Sequence, residues 1–560
     1  MYGFDIINKI DPKGDILYSS YTCFNHLIDK FQSDKLFAET DDYIIILDGV
    51  ILNLHELLDS GTHADWLSFL IESYETYGNE FFTCFRGSFA GALYDKNTDK
   101  WVIYGDHLGT KFIYYSCLEG FFCCSSMMGQ MYTLLQKNGI KYSLDNDAAK
   151  MLLTNGFMLE DFTLCKEVRK VRPGCYIVYQ NNVVEEIQYY ELSNAPNNTI
   201  TEETAIERID ELFRKAVDRQ FKKDYEYGYQ HVCALSSGLD CRMTSFVAHS
   251  LGYTKQTNIT FSQTDFYDDY VSKKMATDLG HDWIFKSLDY GNWLLDVDEV
   301  NLVTGGNVLY YGTAHGNSLF KRLNFQQWGI LHSGQLGDVV LASQYSNYNE
   351  KFLITDGAYS TSGTTSLQKL VLREYANKEL GMWYSRYLNG ANNGQQNEYN
   401  FTETVSPFLD LDFLEYALSI PLRLRHNHYI YKKWILSKYP EAANYVWTGM
   451  HDKISAPTLN FKGQTYSIKV FVIKILKRIF KIKSGYWNSK FNMNPVGLYL
   501  ELNDDVRDTF IDYYKYRSFV RDTQVLSMID HIIAKGTSIE KVQLHTLMSA
   551  LKIYFANNEY

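Results

Sequence analysis

One stretch, residues 231–249, constrains the fold of this chain more than any other. An apolar run at 232–235 predicts a buried strand, Ser-Ser-Gly at 236–238 predicts a tight polar turn, and residues 242–249 have helical spacing. A strand that leads through a glycine-containing turn into a helix gathers unpaired backbone N–H groups and the helix dipole at one point. The sequence therefore predicts an anion-binding loop at this turn, to which the two serine hydroxyls add donors.

Asp240 follows this loop directly. A carboxylate there would repel a phosphate unless a cation lay between them, and Mg²⁺ is usually held by one or two carboxylates together with phosphate oxygens. Asp240 is therefore a candidate magnesium ligand. The alternative is an ordinary turn between a strand and a helix, in which serine, glycine and aspartate are common. The loop lacks the Gly-Lys-Ser/Thr ending of a Walker loop and the glycine pattern of dinucleotide-binding folds.

The length, charge and cysteine content of the chain narrow the classes of protein that remain. A chain of 560 residues is too long for one core, so two or more domains are expected. The net charge of −12 provides no general attraction for nucleic acid, which we do not expect as a partner. The nine cysteines include no Cys-x-x-Cys pair, which argues against zinc and disulfide frameworks. Because the sequence shows no signal-peptide pattern and no run of membrane-spanning length, we expect a cytoplasmic location.

The order of predicted elements divides the chain into two parts. Residues 1–192 are rich in predicted strands around a helix at 64–77, which is typical of a layered α+β domain. These strands are predicted at 43–47, 88–94, 101–104, 175–180 and 183–190. A polar linker at 193–200 leads into residues 201–560, where predicted strands alternate with helices. The alternation predicts an α/β doubly wound parallel sheet with ligands at the carboxyl ends of its strands, followed by a helical C-terminal part.

Residues 235–242, Leu-Ser-Ser-Gly-Leu-Asp-Cys-Arg, resemble the pyrophosphate loop of the asparagine synthetase family, which is usually Leu-Ser-Gly-Gly-Leu-Asp-Ser followed by Ser or Arg. That family splits ATP between its α and β phosphates. The resemblance implies an adenine nucleotide α-hydrolase-like sheet, with ATP and Mg²⁺ as cofactors. It also implies nucleotide contacts from the loop residues Leu235, Ser236, Ser237, Gly238, Asp240 and Arg242, and from the backbone of Thr260 and Phe261 to adenine.

A second loop carries the same resemblance. Residues 330–338, Ile-Leu-His-Ser-Gly-Gln-Leu-Gly-Asp, are similar to the family's Leu-Ser-Gly-Glu-Gly-Ser-Asp. The small residues Ser333 and Gly334 would leave room for the nucleotide. Asp338 matches the family's second magnesium carboxylate, so that Asp240 and Asp338 together would hold the metal. A solvated loop aspartate is the alternative for Asp338.

Residues 48–53, 86–95 and 105–109 are similar to Asn-Gly-Glu-Ile-Tyr-Asn, Gly-x-Phe-Ala-Phe-Ala-Leu-Tyr-Asp and Arg-Asp-His-x-Gly. Those motifs belong to the class II glutamine amidotransferase domain, a stacked-sheet fold of the Ntn type that hydrolyses glutamine. The family's catalytic cysteine directly follows the initiator Met, and Tyr2 stands in its place. The family's glutamine-holding Asn and Glu are replaced as well, the Asn by Asp48 and the Glu by a valine. The resemblance therefore implies a retained domain that has lost glutaminase activity.

Two further positions bear on the chemistry of the synthetase part. Gln335 stands where asparagine synthetases have Glu, and because an amide cannot take a proton at neutral pH it cannot replace that carboxylate as a general base. This departure points to an acceptor other than that of asparagine synthesis. Lys453, in the segment 447–453, lies where the family carries a catalytic lysine and would stabilise charge on the transferring phosphates. A solvated surface lysine is the alternative.

Residues 467–483 differ from the corresponding part of ordinary asparagine synthetases, because lysines and one arginine interleave with apolar residues and no acid is present. Such a basic amphipathic helix on an acidic protein predicts contact with a membrane surface or an anionic partner. The alternative is a core-packed helix with solvated lysines. A homodimer is also among the assemblies that we expect.

Three functions remain open at this point. The first is an ATP-dependent amide ligase that adenylates a small-molecule or peptide carboxylate and passes it to an amine or ammonia. Metal and lysine charges suit this chemistry, because negative charge builds on pyrophosphate during adenylation. The second is asparagine synthesis from ammonia, which Gln335 and Val405 (an Arg in the family) disfavour. The third is a non-catalytic nucleotide-binding protein, since substitutions occur in both halves of the chain.

Overall fold

The computed structural model describes residues 2–59, 65–360, 367–371, 373–461, 464–479 and 492–556. Its N-terminal part contains two six-stranded sheets, in the orders β10-β8-β9-β1-β3-β2 and β12-β11-β7-β6-β5-β4, and the strand pairs are antiparallel. The strands are β1 (Phe4–Ile7), β2 (Ile16–Tyr18), β3 (Tyr21–Asn25), β4 (Leu36–Glu39), β5 (Tyr43–Ile51), β6 (Gly87–Asp95), β7 (Lys100–Gly105), β8 (Tyr114–Leu118), β9 (Phe121–Ser125), β10 (Arg169–Lys170), β11 (Cys175–Gln180) and β12 (Val183–Gln188).

The two sheets pack face to face, and helices cover their outer faces. Alternate strand residues point into the layer between the sheets, where Phe4 and Ile6 of one sheet join Ile44 and Ile46 of the other in one core. One outer face is covered by α1 (Leu54–Asp59) and α2 (Trp66–Tyr77), and the other by α3 (Met128–Lys137) and α4 (Asn146–Asn155). This four-layer arrangement confirms the predicted stacked-sheet α+β domain.

Strand β5 is longer than the sequence pattern indicates. The prediction covers residues 43–47, whereas the strand continues to Ile51. Gly49 makes this continuation possible, because it adopts a φ of 127°, and a Cβ there would lie 2.1 Å from the carbonyl oxygen of Ser88. Asp48 therefore sits within a buried strand rather than at a turn, pairing in register with Ala90.

The second part of the chain is built on a five-stranded parallel sheet in the order β15-β14-β13-β16-β17. Its strands are β13 (Gln230–Ala234), β14 (Gln256–Ser262), β15 (Asp282–Ser287), β16 (Trp328–His332) and β17 (Thr404–Val405). The helices that accompany the sheet are α5 (Glu202–Glu226), α6 (Leu239–Ser250), α7 (Tyr267–Leu279), α8 (Val297–Thr304), α9 (Tyr311–Phe320), α10 (Gly337–Leu341), α11 (Lys378–Met382), α12 (Leu411–Ser419), α13 (Leu422–Arg425) and α14 (Tyr429–Lys438).

Both faces of this sheet are buried beneath helices. The neighbouring residues Val232 and Cys233 of β13 point to opposite faces, as the pleat of a strand requires. Val232 packs with Phe320 of α9, whereas Cys233 belongs to the core formed with α5, α6 and α7. The predicted doubly wound α/β sheet is therefore confirmed.

Two ribbons and a set of helices complete the described chain. The ribbon strands are β18 (Val446–Trp447), β19 (Asp452–Lys453), β20 (Thr458–Phe461) and β21 (Gln464–Ser467), and the helices are α15 (Ile468–Ile479), α16 (Val496–Leu502), α17 (Asp504–Tyr513), α18 (Thr523–Lys535) and α19 (Ser538–Ala550). Residues 480–483 of the predicted basic helix lie outside the described residues. None of the helices in the described part of the chain combines the length and apolar character that a bilayer crossing requires.

The C-terminal helices pack against the N-terminal part of the chain. Ile529 of α18 and Leu547 of α19 share a core with Leu135 of α3 and Leu152 of α4. The sequence does not indicate this contact, because helical spacing shows which face is apolar but not what covers it. The domain limits at 1–192, 193–200 and 201–560 stay predictions.

Candidate functional site

The loop between β13 and α6 has the form that the sequence predicts for an anion site. Gly238 is the N-cap of α6, with φ −63° and ψ 164°, and no side-chain cap is made there within the described part of the chain. The N–H of Gly238 donates to Ser236 Oγ at 3.2 Å, and the N–H of Leu235 donates to the carbonyl of Ile259 at 2.9 Å. The strand thus fixes the start of the loop, while the N-terminus of a 12-residue helix is left without a side-chain cap.

The loop after β16 lies directly against the first turn of α6. A Cβ on Gly334 would lie 2.3 Å from the backbone nitrogen of Cys241, and a Cβ on Gly337 would lie 2.7 Å from Cγ of Asp240. Only glycine permits these approaches. Between the two glycines Leu336 has a φ of 65°, a region that residues with a Cβ rarely adopt. The chain therefore turns sharply, and α10 begins beside Asp240.

This turn brings the two predicted metal ligands together. The backbone N–H of Asp338 donates to the carboxylate of Asp240, and the hydroxyl of Tyr431 donates to Asp240 Oδ1 at 2.9 Å. Burial and the nearby charge of Asp338 raise the pKa of Asp240 well above its usual range. Two adjacent carboxylates repel each other unless a proton or a cation lies near them. In this pair Asp240 is half-buried and Asp338 is exposed, and carboxylate oxygens are among the ligands that Mg²⁺ takes in proteins.

Ser237 is oriented differently from its predicted role. It is completely buried, and its backbone N–H and hydroxyl both donate to Asp268 Oδ1, at 2.7 and 2.5 Å. Its hydroxyl also contacts that of Thr448. The predicted phosphate contact of Ser237 stays a prediction, and in this structure its donors are used within the protein. Ser237 instead anchors the loop to α7 and to the segment after β18.

Arg242 is also a positioning residue. Its guanidinium is fully buried and donates to four backbone carbonyls. These carbonyls belong to Ser237 at 2.7 Å, Val446 at 2.8 Å, Ala442 at 3.0 Å and Tyr445 at 3.3 Å. The predicted nucleotide contact of Arg242 likewise stays a prediction, and its guanidinium is engaged by carbonyls of the protein in this structure. Its side chain connects residues 442–446 to the loop between β13 and α6 through these hydrogen bonds.

Lys453 reaches this region through a two-stranded ribbon. In the ribbon Lys453 of β19 pairs with Val446 of β18, the residue whose carbonyl accepts from Arg242. The turn of the ribbon contains Thr448, which contacts Ser237. The side chain of Lys453 is exposed. Its role as the charge-stabilising lysine stays a prediction, supported by the attachment of its ribbon to the loop.

The edge predicted to meet adenine extends beyond the neighbouring strand. The pairing of β14 with β13 ends at Ile259. The backbone of Thr260 and Phe261 therefore extends beyond the strand pairing with β13. The Thr260 hydroxyl donates to the carbonyl of Leu235 at 2.8 Å. The Phe261 ring packs near His315, with 4.8 Å between the ring centroids. These contacts are compatible with the predicted use of backbone atoms at this edge.

Gln335 and Ser333 are held within the second loop. The N–H of Gln335 donates to Ser333 Oγ at 3.1 Å, and its side-chain Nε2 donates to the carbonyl of Ala391 at 2.9 Å. The backbone carbonyl of Gln335 accepts from the hydroxyl of Ser406 at 2.9 Å. The Gln335 amide thus ties the second loop to residues around 391, while Ser333 supports the turn.

The position of the glutamine-holding motif is occupied by a buried cluster of charges. Lys111 Nζ lies 2.7 Å from Asp48 Oδ2 and 2.9 Å from Glu403 Oε2, and Lys35 Nζ lies 2.8 Å from Glu403 Oε1. Burial lowers the pKa of Lys111, but the carboxylates of Asp48 and Glu403 together hold it above its ordinary value. We name these four residues the ionic cluster. It joins the N-terminal sheet to Glu403, which immediately precedes β17.

Tyr2 fills space beside the ionic cluster. Its side chain is buried, its hydroxyl donates to Gln396 Oε1 at 2.8 Å, and its ring lies 5.4 Å from that of Tyr399. The ammonium of Lys111 lies 4.6 Å from the Tyr399 ring centroid. An aromatic pair and an ionic cluster therefore occupy the region around the Asp48 motif.

A second buried group, below the sheet, has the residue types of a metal site. Asp224, His231 and His332 bring ligand atoms within 4.8 Å of one another. Asp224 Oδ2 already pairs with His231 Nδ1 and with His332 Nε2, each at 2.8 Å. Among the described residues the opposite nitrogens of both imidazoles have no hydrogen-bond partner, whereas a metal-bound histidine almost always donates through its second nitrogen. The group is best explained as a hydrogen-bonded core cluster.

Three residues that contact the site were not predicted, because each comes from a segment distant in sequence. Asp268, Thr448 and Tyr431 contact Ser237 and Asp240 from positions up to 211 residues away. The one local signal was the pair of acidic residues, Asp268 and Asp269, in the first turn of α7, which is common in helices and indicates no partner.

Comparisons with known proteins agree with the fold. Residues 27–190 match the model of a glutamine amidotransferase domain. An asparagine synthetase (glutamine-hydrolyzing) of Bacillus subtilis is 24% identical over 274 residues, which are 47% of this chain and 42% of that protein. A putative asparagine synthetase (glutamine-hydrolyzing) of Mycobacterium tuberculosis H37Rv is 24% identical over 213 residues, 36% of this chain and 32% of the relative.

Other similarities are more limited. An amidase of Penicillium rubens is 25% identical over 176 residues, which cover 30% of this chain and 24% of the amidase. Each alignment thus spans less than half of the relative. A solved glutamine phosphoribosylpyrophosphate amidotransferase from B. subtilis has a TM-score of 0.24 and 9% identity over 52% of this chain and 62% of that one.

Proposed function

We propose, from the premise that this chain is asparagine-synthetase-like and carries a glutamine amidotransferase domain, that it is an ATP-dependent amide-forming ligase. It adenylates a carboxylate and transfers the acyl group to an amine or to ammonia. The observation that carries this proposal is the meeting of Asp240 and Asp338 at the N-terminus of α6, which no side chain caps. A helix N-terminus of the kind that binds anions and a pair of carboxylates lie there at one sheet edge.

The residues at this edge fit a nucleotide triphosphate with a divalent cation. Asp240 and Asp338 would hold Mg²⁺, which when bound neutralises charge on the phosphates. The first-turn N–H groups of α6, together with Ser236 and Gly238, would face the phosphates. Ser237 and Arg242 keep the loop in place through their buried hydrogen bonds. Lys453 would add positive charge where pyrophosphate leaves.

The source of nitrogen follows from the N-terminal part. Binding of glutamine needs neutral donors and acceptors around its amide, whereas the Asp48 motif faces two buried lysines. The ionic cluster therefore supports the loss of glutaminase activity. The amine is then free ammonia or a nitrogen that the substrate itself carries. The side-chain amide of Gln335 is hydrogen-bonded to the carbonyl of Ala391. Because an amide cannot act as a general base, Gln335 supports an acceptor other than that of asparagine synthesis.

Exchange of labelled pyrophosphate into ATP tests the proposal. The full chain is incubated with Mg²⁺ and a panel of carboxylates, with aspartate as one member. We expect carboxylate-dependent exchange that Asp240→Asn and Asp338→Asn each abolish. Asp282→Asn is the matched control, because Asp282 is an exposed acid at the opposite, N-terminal end of β15. It should leave the rate of exchange unchanged.

Two results would contradict the proposal. If the protein neither binds ATP in the presence of Mg²⁺ nor exchanges pyrophosphate with any carboxylate, it is a non-catalytic protein. If exchange persists in both aspartate variants, the reaction does not take place at this carboxylate pair. Exchange with aspartate alone, followed by asparagine formation from ammonia, would replace the broader ligase by an ammonia-dependent asparagine synthase.

A further inference from the structure

Helix α15 presents apolar side chains to solvent instead of to a core. The exposed residues are Ile468 (45%), Val472 (47%), Ile473 (41%), Ile475 (44%), Leu476 (46%) and Ile479 (65%). Surface helices normally bury such residues against the protein. The alternative that the sequence left open, a core-packed helix with solvated lysines, is therefore wrong for the described part of this helix.

Five of these six residues, all but Ile473, form a continuous stripe, which we name the apolar arc. At about 100° per residue, Ile468, Val472, Ile475, Leu476 and Ile479 fall within an arc of roughly 100°. At one edge of the arc Phe471 packs on the β20–β21 ribbon, with its ring 5.3 Å from that of Phe461. Phe461 is itself 49% exposed, so the ribbon extends the apolar surface.

The charge of α15 is opposite to that of the whole chain. Residues 468–479 contain three lysines and one arginine and no acid, whereas the chain has a net charge of −12. Lys474 Nζ lies 4.4 Å from the ring centroid of Tyr466, on the side away from the apolar arc. A helix with an apolar arc and a basic remainder has the composition of helices that lie in the surface of an anionic bilayer.

We infer that α15 binds the surface of membranes containing anionic lipids, with the apolar arc among the acyl chains and the cations at the headgroups. At about 1.5 Å per residue its 12 residues extend about 18 Å, too short to cross a bilayer core of about 30 Å. A second copy of α15 is a poor partner, because each helix would set its cations against those of the other. A nucleic acid would engage the cations but leave the apolar arc in water.

The residue that precedes α15 is hydrogen-bonded to the β18–β19 ribbon, which contains Lys453. The hydroxyl of Ser467 donates to Asp452 Oδ2 at 2.5 Å, and Ser467 is only 1% exposed. This hydrogen bond lowers the pKa of Asp452, whose carboxylate is therefore ionised at neutral pH. Bilayer binding therefore places a lipid surface next to the Lys453 ribbon. The consequence that substrates are presented at the membrane rests on the proposed function, but lipid binding itself does not.

Sedimentation with vesicles tests the inference on the full chain. Vesicles of phosphatidylcholine alone are compared with vesicles that also contain phosphatidylglycerol, at low and high salt. We expect the protein to sediment only with the anionic vesicles, and to be released in part by salt. The variant Val472→Ser/Ile475→Ser/Ile479→Ser should reduce partitioning by roughly tenfold or more, because three side chains no longer leave water. Ile511→Ser, at a residue that is 57% exposed on α17, is the matched control.

The replaced side chains are exposed, so the triple variant should keep its fold and thermal midpoint. Wild-type protein that stays in the supernatant with anionic vesicles at low salt would overturn the inference. Equal binding by the triple variant would also overturn it, because the apolar arc would not be the contact. Self-association that the triple substitution removes, without lipid binding, would assign the arc to a second copy instead. Pyrophosphate exchange is scored separately, so failure of the ligase proposal remains distinguishable.

Discussion

Removing Lys111 is expected to destabilise the protein, because its ammonium is buried between two carboxylates. Its side chain is 2% exposed, and those of Asp48 and Glu403 are 1% and 0% exposed. With Lys35 included, the ionic cluster contains two cations and two carboxylates and has no net charge. Lys111→Met leaves one carboxylate without a counter-charge in a region that water does not reach. The methionine replaces most of the volume, so the effect reports the charge rather than a cavity.

The size of the effect follows from the burial. Removing one partner of a buried ion pair costs about 3–5 kcal/mol, because the remaining charge is neither solvated nor paired. At about 2–4 °C per kcal/mol for a domain of this size, the thermal midpoint should fall by about 6–20 °C. The double variant Lys111→Met/Asp48→Asn removes one charge of each sign. It should recover part of that loss, with a coupling free energy above about 1 kcal/mol.

Thermal unfolding followed by near-UV circular dichroism measures these midpoints. Lys274→Met is the control, because Lys274 and Asp278 form an ion pair whose lysine side chain is 66% exposed. Breaking such a surface pair should cost about 0.5 kcal/mol or less. The reasoning is refuted if Lys111→Met lowers the midpoint no more than Lys274→Met does. It is also refuted if adding Asp48→Asn lowers the midpoint further.

Three other perturbations follow from the same structure. Gly337→Ala would place a Cβ 2.7 Å from Asp240 Cγ, so the rate of pyrophosphate exchange should fall by about a hundredfold. The control Gly312→Ala, whose Cβ would meet open space, should leave that rate unchanged. Arg242→Met leaves four backbone carbonyls without their donor and should cost about 3 kcal/mol or more in unfolding free energy; an unchanged midpoint would contradict the positioning role. Burial raises the pKa of Glu398 from 4.5 to about 8. The pKa of Glu398 is higher in the folded state than in the unfolded state, so protonation of Glu398 stabilises the native state. This contribution to the free energy of unfolding is fully present below about pH 4.5 and is lost as the pH rises through about 8. Glu398→Gln should therefore flatten the fall in thermal midpoint between about pH 5 and pH 8, and an identical pH profile would contradict the assignment.

Local patterns in the sequence determined the elements of the candidate site. The strand at 230–234, the Gly238 turn and helix α6 follow from an apolar run, a glycine and helical spacing within some twenty consecutive residues. The alternation of strands and helices likewise predicts the parallel sheet, and the second loop arrives at the same sheet edge because parallel strands end together. The approach of Asp240 and Asp338 was therefore predictable, since it depends on topology rather than on individual packing.

Only the tertiary structure decided what the side chains do. Ser237 and Arg242 have the same local sequence context as Asp240, yet their donors are used by Asp268 and by carbonyls some 200 residues away. Lys111 and Glu403 pair across 292 residues, and the exposure of α15 depends on which surfaces the rest of the chain leaves uncovered. The period of a helix or strand fixes the direction of each side chain relative to its own backbone. It contains no information about which distant segment packs there. That packing decides whether the donors of a side chain face a ligand site or are used within the protein.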